Sequence, residues 1–376
     1  MHYKQIDSFR FFLVLLVITS HWLCGIKALD NLRLGIIGVE FFFAISGFLI
    51  SSQLLNYKKM IDERSVTFGK ALYTFYIRRF LRIVPLYYFV LIIATAFNKG
   101  EIREAAFYNF GYASNFFFIK VQHWASTFSH FWSLSVEEHF YLIWPFIVLS
   151  LKRKHLPYVF AALTLFSVLF RYSTFSVDWD FIKVYAHTFS CIDLFMFGSF
   201  LAFLREERKE LFHKVFLTNS FRYGILSCFI FLYCVFVFKP ELTTFNWVFQ
   251  RFFQGIIFAI TVGFLVIGIK GKIGELLSNK HLVHFGKLSY GIYLVHNFVP
   301  GILLPIKELQ LPLAVEFLIY LSVTIIVAEL LNRLIEKPIR KLNKHFELKK
   351  RNRKVPTFNV DRLIVKLEGP IEVFPN

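Results

Sequence analysis

Long apolar blocks, each bounded by charge, proline or glycine, divide the chain from end to end. Read by length, they give ten candidate helices, at roughly 9–27, 35–55, 83–98, 134–151, 157–171, 187–204, 221–238, 247–269, 288–305 and 312–333. Several reach the ~20 apolar residues that cross a ~30 Å hydrocarbon core. The pattern predicts an all-α integral membrane protein, a polytopic bundle of about ten transmembrane helices. The fifth block is short, and the ninth contains Pro300 and Pro305, which would kink it. Between the second and third blocks, FGKALYTFYIRRFLRIVP (68–85) reads as a basic amphipathic segment lying at the membrane surface, with the third span starting after it.

Composition excludes a soluble domain: of 376 residues 56% are hydrophobic, 50 are Phe, and mean hydropathy is +0.54. The net charge of +18 would point to nucleic acid in a soluble protein. Here the charge sorts by side. With the N-terminus inside, 33 of the 43 basic residues fall in inside segments and 10 in outside ones, alternating segment by segment. The expectation is therefore cytoplasmic N- and C-termini in a cell (inner or plasma) membrane, with lipids as partners and no nucleic acid. Cys24, Cys191, Cys228 and Cys234 have no paired spacing and read as small packing residues, so neither disulfides nor a metal is expected. Met1 to Phe9 is short and contains Asp7, which does not fit a cleavable leader. Residues 1–341 read as one transmembrane domain and 342–376 as a basic cytoplasmic tail drawn to phosphate or lipid headgroups.

An ionisable group in a span costs roughly 2.5–3.5 kcal/mol on insertion scales, so each one asks for a reason. Arg10 and His21 are eleven residues apart, three helical turns plus about 20°, and share one face with ~16 Å between them. Asp7 lies near the same stripe as a partner for Arg10. Taken singly, Arg10 reads equally as a snorkelling anchor and His21 as a packing histidine. In GVEFFFAISGFLI, Glu40 lies near one end, and the small pair Ser46-Gly47 either packs helices closely or leaves room for a ligand chain. Arg78, Arg79 and Arg82 cluster where the third span begins, suited to phosphate or to simple anchoring. In HFWSLSVEEHFYLIWP, Ser133, Glu137 and Tyr141 follow one another at four-residue spacing. Glu137 and Glu138 point about 100° apart, so facing water does not explain both. In KLSYGIYLVHN, Ser289, Tyr293 and His296 line one face, with His296 near mid-membrane, and Glu336-Lys337-Pro338 ends the helical region.

In order and spacing these elements resemble the membrane-bound acyltransferase-3 family, the O-acyltransferases that decorate bacterial cell-envelope glycans. The resemblance is carried by Asp7 and Arg10-x10-His21, GVEFFFAISGFLI, RRFLRIVP (78–85), FWSLSVEEHFYLIWP (131–145), SYGIYLVH (289–296) and EKPIRK (336–341). It implies an acyl-CoA donor, usually acetyl-CoA, and an acceptor hydroxyl on an extracytoplasmic polysaccharide or lipid-linked glycan. It further implies that Arg79 and Arg82 hold the CoA phosphates while Ser46 and Gly47 admit the pantetheine arm. His21 is then the general base, by direct transfer or through an acyl-histidine, with Arg10 and Glu137 in support. Trp132, Ser133, Tyr293 and His296 are expected to meet the acceptor. With no esterase-like domain after the last span, the expectation is a stand-alone member that relies on a partner protein or a second copy. The alternative is a proton-coupled glycan-lipid transporter or flippase with His21, Glu137 and Arg10 as a relay, although no inverted repeat relates the two halves. A membrane scaffold would leave the Arg10–His21 stripe without a reason.

Overall fold

The computed structural model describes residues 3–348 apart from 98–99, 126, 178–180 and most of 219–243. Among the described residues there is no strand. The helices of 16 residues or more are α1 (Lys4–Trp22), α2 (Leu34–Asp62), α3 (Phe68–Phe97), α4 (Phe131–Ser150), α5 (Leu156–Val177), α6 (Thr188–Glu207), α7 (Gln250–Ile267), α8 (Lys280–Val295) and α9 (Leu313–Leu331). The expected span at 221–238, with Cys228 and Cys234, lies outside the described residues, as does the tail beyond 348.

Among the described residues six stretches are long and apolar enough to cross a membrane: Lys27–Asp62, Phe68–Phe97, Arg153–Ser176, Phe181–Glu207, Asn246–Ile267 and Leu313–Phe346. The count of ten is not reproduced by that criterion, and the reason is physical. Helices α1, α4 and α8 fall short because α1 and α4 carry ionisable groups along their length and α8 is only 16 residues long. They sit within the bundle: α1 packs on α8 and α2, and α4 packs on α2.

Three boundaries differ from expectation. First, the basic stretch 68–82 is the first half of α3, which runs unbroken through Pro85. A proline deletes one backbone hydrogen bond, and the remaining turns persist where neighbours hold them. Second, the ninth block does not form one span. Helix α8 begins at Lys280 and stops at Val295, followed by short helical pieces at His296–Phe298, Val299–Ile302 and Leu304–Glu308. His296 thus sits at the break rather than within a continuous helix. Third, the chain does not stop at Pro338. A wide π turn (Asn332–Glu336) leads into Lys337–Leu342, where Pro338 occupies the first turn and its missing N–H is not needed.

Helix α2 is the hub, in contact with α1, α4, α6 and α7. Its closest approach is to α6. A Cβ on Gly47 would lie 2.2 Å from the Phe195 carbonyl oxygen, and one on Gly198 would lie 2.0 Å from that of Ala44. Phenylalanines fill the interior (Phe43, Phe48, Phe75, Phe195 and Phe258 among the fully buried) and also coat the outside, as Phe80 and Phe89 do.

Candidate functional site

At the end where α1 begins, a cavity of about 910 Å³, its mouth included, opens between α1, α2, α3, α4 and α8. It is lined by Arg10, Ser46, Arg79, Arg82, Ser133, Glu137, Glu138, Tyr141, Ser289, Tyr290 and Tyr293. The spacing of three along α3 puts Arg79 and Arg82 on one face, and Arg10 approaches from α1. Among the described residues none of these three guanidinium groups has a carboxylate within 4.0 Å. Other groups hold them. Arg79 donates to Gln53 Oε1 (3.1 Å) and lies over the Tyr141 ring (5.5 Å), while Arg10 lies over Phe42 (5.9 Å). Glu137 accepts from Ser46 Oγ (2.7 Å) and from Tyr141 Oη (3.2 Å). The cavity combines three guanidinium groups, which suit phosphate, with a carboxylate held by two hydroxyls.

At the opposite end of α1, His21 meets His296 with 2.8 Å between Nδ1 and Nε2, the rings 8° apart. His296 Nδ1 is 2.6 Å from the backbone oxygen of Tyr293. A carbonyl can only accept, so that nitrogen carries hydrogen and His296 Nε2 is the acceptor. His21 must then donate from Nδ1, which leaves its Nε2 as the acceptor nitrogen of the ring. The network assigns this tautomer, and it is the one a general base requires. Behind the pair, His130 Nε2 donates to the Leu294 carbonyl (3.1 Å), and its Nδ1 accepts from the Asn297 amide (3.2 Å). Among the described residues no group of three His, Cys, Asp or Glu could hold a metal ion.

Tyr293 joins the two ends. Its ring lines the arginine cavity, its hydroxyl bonds Ser133 Oγ (2.6 Å) and the His130 carbonyl (3.2 Å), and its own carbonyl fixes His296. Helix α8 can supply both because it ends at Val295, so the ring of Tyr293 belongs to the last turn and His296 begins the next piece.

The residues expected at the site divide accordingly. Arg10, Ser46, Arg79, Arg82, Ser133, Glu137 and Tyr293 come together around the cavity. Gly47 does not: it faces away, against the backbone of α6, as a packing glycine. Trp132 is not at the cavity wall either. It is 5% exposed, with Phe43 at 5.9 Å and Tyr185 at 4.8 Å between ring centroids. Its side of α4 faces the α6 region, whereas Ser133, 100° around, faces the cavity. His296 is fully buried behind His21 and contacts protein groups instead of an open surface.

Sequence reasoning missed His130, which precedes α4 by one residue, and two buried ion pairs. Arg251 meets Glu40 at 2.7 Å, and Arg171 meets Asp193 at 2.6 Å. Both arginines also donate to the carbonyl of Ser190. Opposite charges in separate apolar blocks were the available signal.

Over residues 3–333 the chain matches the family model described as an acyltransferase domain, and it belongs to that family. Its relatives include a Staphylococcus aureus (strain COL) protein provisionally named an O-acetyltransferase, 31% identical over 367 residues, covering 89% of this chain and 57% of that one. Another is the peptidoglycan O-acetyltransferase OatA of Listeria monocytogenes serovar 1/2a (strain ATCC BAA-679 / EGD-e), 29% identical over 374 residues, covering 90% and 56%. A third, from Bacillus subtilis (strain 168) and provisionally named a peptidoglycan O-acetyltransferase, is 30% identical over 373 residues, covering 90% and 55%. The chain thus spans little more than half the length of these curated relatives. No solved structure matches it.

Proposed function

We propose that the protein is a multi-pass O-acyltransferase that moves an acyl group, acetyl in the first instance, from cytoplasmic acyl-CoA to a hydroxyl of a cell-envelope glycan such as peptidoglycan. In this reading the chain crosses the membrane ten times with both termini in the cytoplasm, which puts the arginine cavity on the CoA side and His21 on the glycan side. One observation carries it: the Tyr293 carbonyl–His296–His21 chain leaves His21 Nε2 unprotonated, across the bundle from three guanidinium groups with no carboxylate within 4.0 Å among the described residues.

The chemistry follows from those residues. Arg79 and Arg82 bind the donor phosphates, and Arg10 steadies the chain that carries the thioester. His21 Nε2 takes the proton of the acceptor hydroxyl as its oxygen attacks the thioester carbonyl. When the C–S bond breaks, the imidazolium returns that proton to the leaving thiolate, so no net charge is left behind. His296 accepts from the imidazolium Nδ1–H throughout and keeps the ring aligned. Support also comes from the relatives, which are named as O-acetyltransferases, of peptidoglycan in the Listeria case.

The test uses membranes containing the full chain, labelled acetyl-CoA and peptidoglycan fragments. Wild type is expected to label the glycan and His21→Ala to do so 10²–10⁴-fold more slowly. Equal labelling by His21→Ala, or none by wild type, overturns the reading.

A further inference from the structure

A second polar cavity, of about 310 Å³ including its mouth, lies between α2, α7 and the short helix Phe181–Ala186, away from the arginine cavity. It flanks His21 at the same level of the bundle. Gly35 packs against Ser20, next to His21, whereas Arg33 and Ile36, on either side of Gly35, line this cavity. At its floor is Glu40, 2% exposed. One carboxylate oxygen accepts from Arg251 Nε (2.7 Å), and the other, Oε2, has no hydrogen-bond partner. Leaving a buried carboxylate oxygen unmatched is expensive, and it marks a position where a ligand donor would be welcome. The buried amides of Gln250 and Gln254, one turn apart on α7, share the wall with Arg251. The indole of Trp247 stands half-buried beside them, with Arg33 over its ring at 5.2 Å.

The chemistry of this lining selects a class of ligand. An anion would meet Glu40, and a cation would meet Arg33 and Arg251. Amides that both donate and accept, a lone carboxylate oxygen and an aromatic edge suit a neutral, hydroxyl-rich ring. Much of that volume is the open mouth, so the lining meets one edge of a sugar unit seated across it. Trp132 is the partition: its ring lies tilted against Tyr185, which lines this cavity, and it is two residues from His130, whose ring is 4.8 Å from that of His296.

We infer that this cavity is a saccharide-binding subsite that holds a neighbouring unit of the acceptor glycan while another unit presents its hydroxyl to His21. Its place in the reaction rests on the acyltransferase reading; sugar binding itself does not. The test is binding of a β-1,4-linked N-acetylglucosamine tetrasaccharide to full-length protein in lipid nanodiscs, measured by calorimetry, with acetyl transfer followed separately. Glu40→Gln keeps the acceptor for Arg251 and turns the free oxygen into an amide donor. It is expected to weaken binding about tenfold, equivalent to about 1.4 kcal/mol. Gln250→Ala and Gln254→Ala, which leave the ion pair untouched, are expected to weaken it similarly, while Arg79→Ala, at the other cavity, binds as wild type. Wild type that does not bind the sugar, or binding equal to wild type in all three cavity variants, overturns the subsite. Sugar binding with the expected losses but no acetyl transfer keeps the subsite and overturns only the acyltransferase reading.

Discussion

In the proposed reaction His21 depends on the residue it touches. Its Nδ1 bond to His296 does what a second-site partner does in other acid–base pairs: it fixes the tautomer and the ring angle. In the proposed reaction His296 is therefore a positioning residue, buried and turned toward the Tyr293 carbonyl. His296→Leu is expected to lower kcat by about 10- to 100-fold with little change in KM for acetyl-CoA. Adding it to His21→Ala is expected to cost nothing more, because the two act as a unit. Steady-state kinetics of the two single variants and the double variant check this; additive losses would refute it. At the other end, Arg79→Ala with Arg82→Ala is expected to raise KM for acetyl-CoA tenfold or more. A thioester donor without nucleotide phosphates should be used equally by wild type and this variant.

Among the elements, the α2–α6 contact is set by two glycines, and both expected outcomes follow from its tightness. Gly47→Val or Gly198→Val puts carbon where the facing carbonyl oxygen stands, so the helices must part. The loss expected is 1–3 kcal/mol or more, with a clear drop in Tm on thermal unfolding in detergent. Ala44, which the same contact leaves without that conflict, was not distinguishable from Gly47 by sequence as a helix-facing small residue. The connector between α3 and α4 carries a pH-dependent contact. His123 Nε2 faces Glu101 (2.8 Å) and its Nδ1 faces the Val121 carbonyl (3.0 Å), so both nitrogens meet acceptors and the imidazole pKa is raised above 6.5. A raised pKa in the folded state adds stability below the unfolded value and loses it as pH rises through the folded one. Hydrogen exchange in 101–123 is therefore expected to quicken, beyond its intrinsic pH dependence, above that pKa, and Glu101→Gln is expected to remove the effect.

For the whole molecule, the two buried ion pairs join helices that are distant in sequence. Arg171–Asp193 ties α5 to α6, Arg251–Glu40 ties α7 to α2, and the Ser190 carbonyl receives both arginines. Removing one partner strands a buried charge. Asp193→Ala is expected to destabilise the fold by about 3–5 kcal/mol, and Arg171→Met with Asp193→Leu to recover most of that, both read from chemical denaturation. The architecture that results is a polar interior among apolar helices: α1, α4 and α8 line the candidate site together with α2 and α3, and α2, α3, α5, α6, α7 and α9 belong to the stretches apolar enough to cross a membrane.

Much of this was legible in one dimension. Hydropathy over some twenty residues reports whether a helix can stand in lipid, and the 100° step per residue reports which side chains share a face. Those two rules sufficed for an all-helical membrane protein, for the Arg10–His21 stripe and for the Ser133–Glu137–Tyr141 face. The motifs in their order were enough to place the chain in its family. Neither rule contains the distance between helices. That His296 turns back on His21 across 275 positions, that Gly47 serves α6 while its neighbour Ser46 serves Glu137, and that Glu40 finds Arg251 across 211 positions were decided by tertiary packing alone. A hydrogen bond acts over about 3 Å, and only the assembled bundle determines which groups come that close.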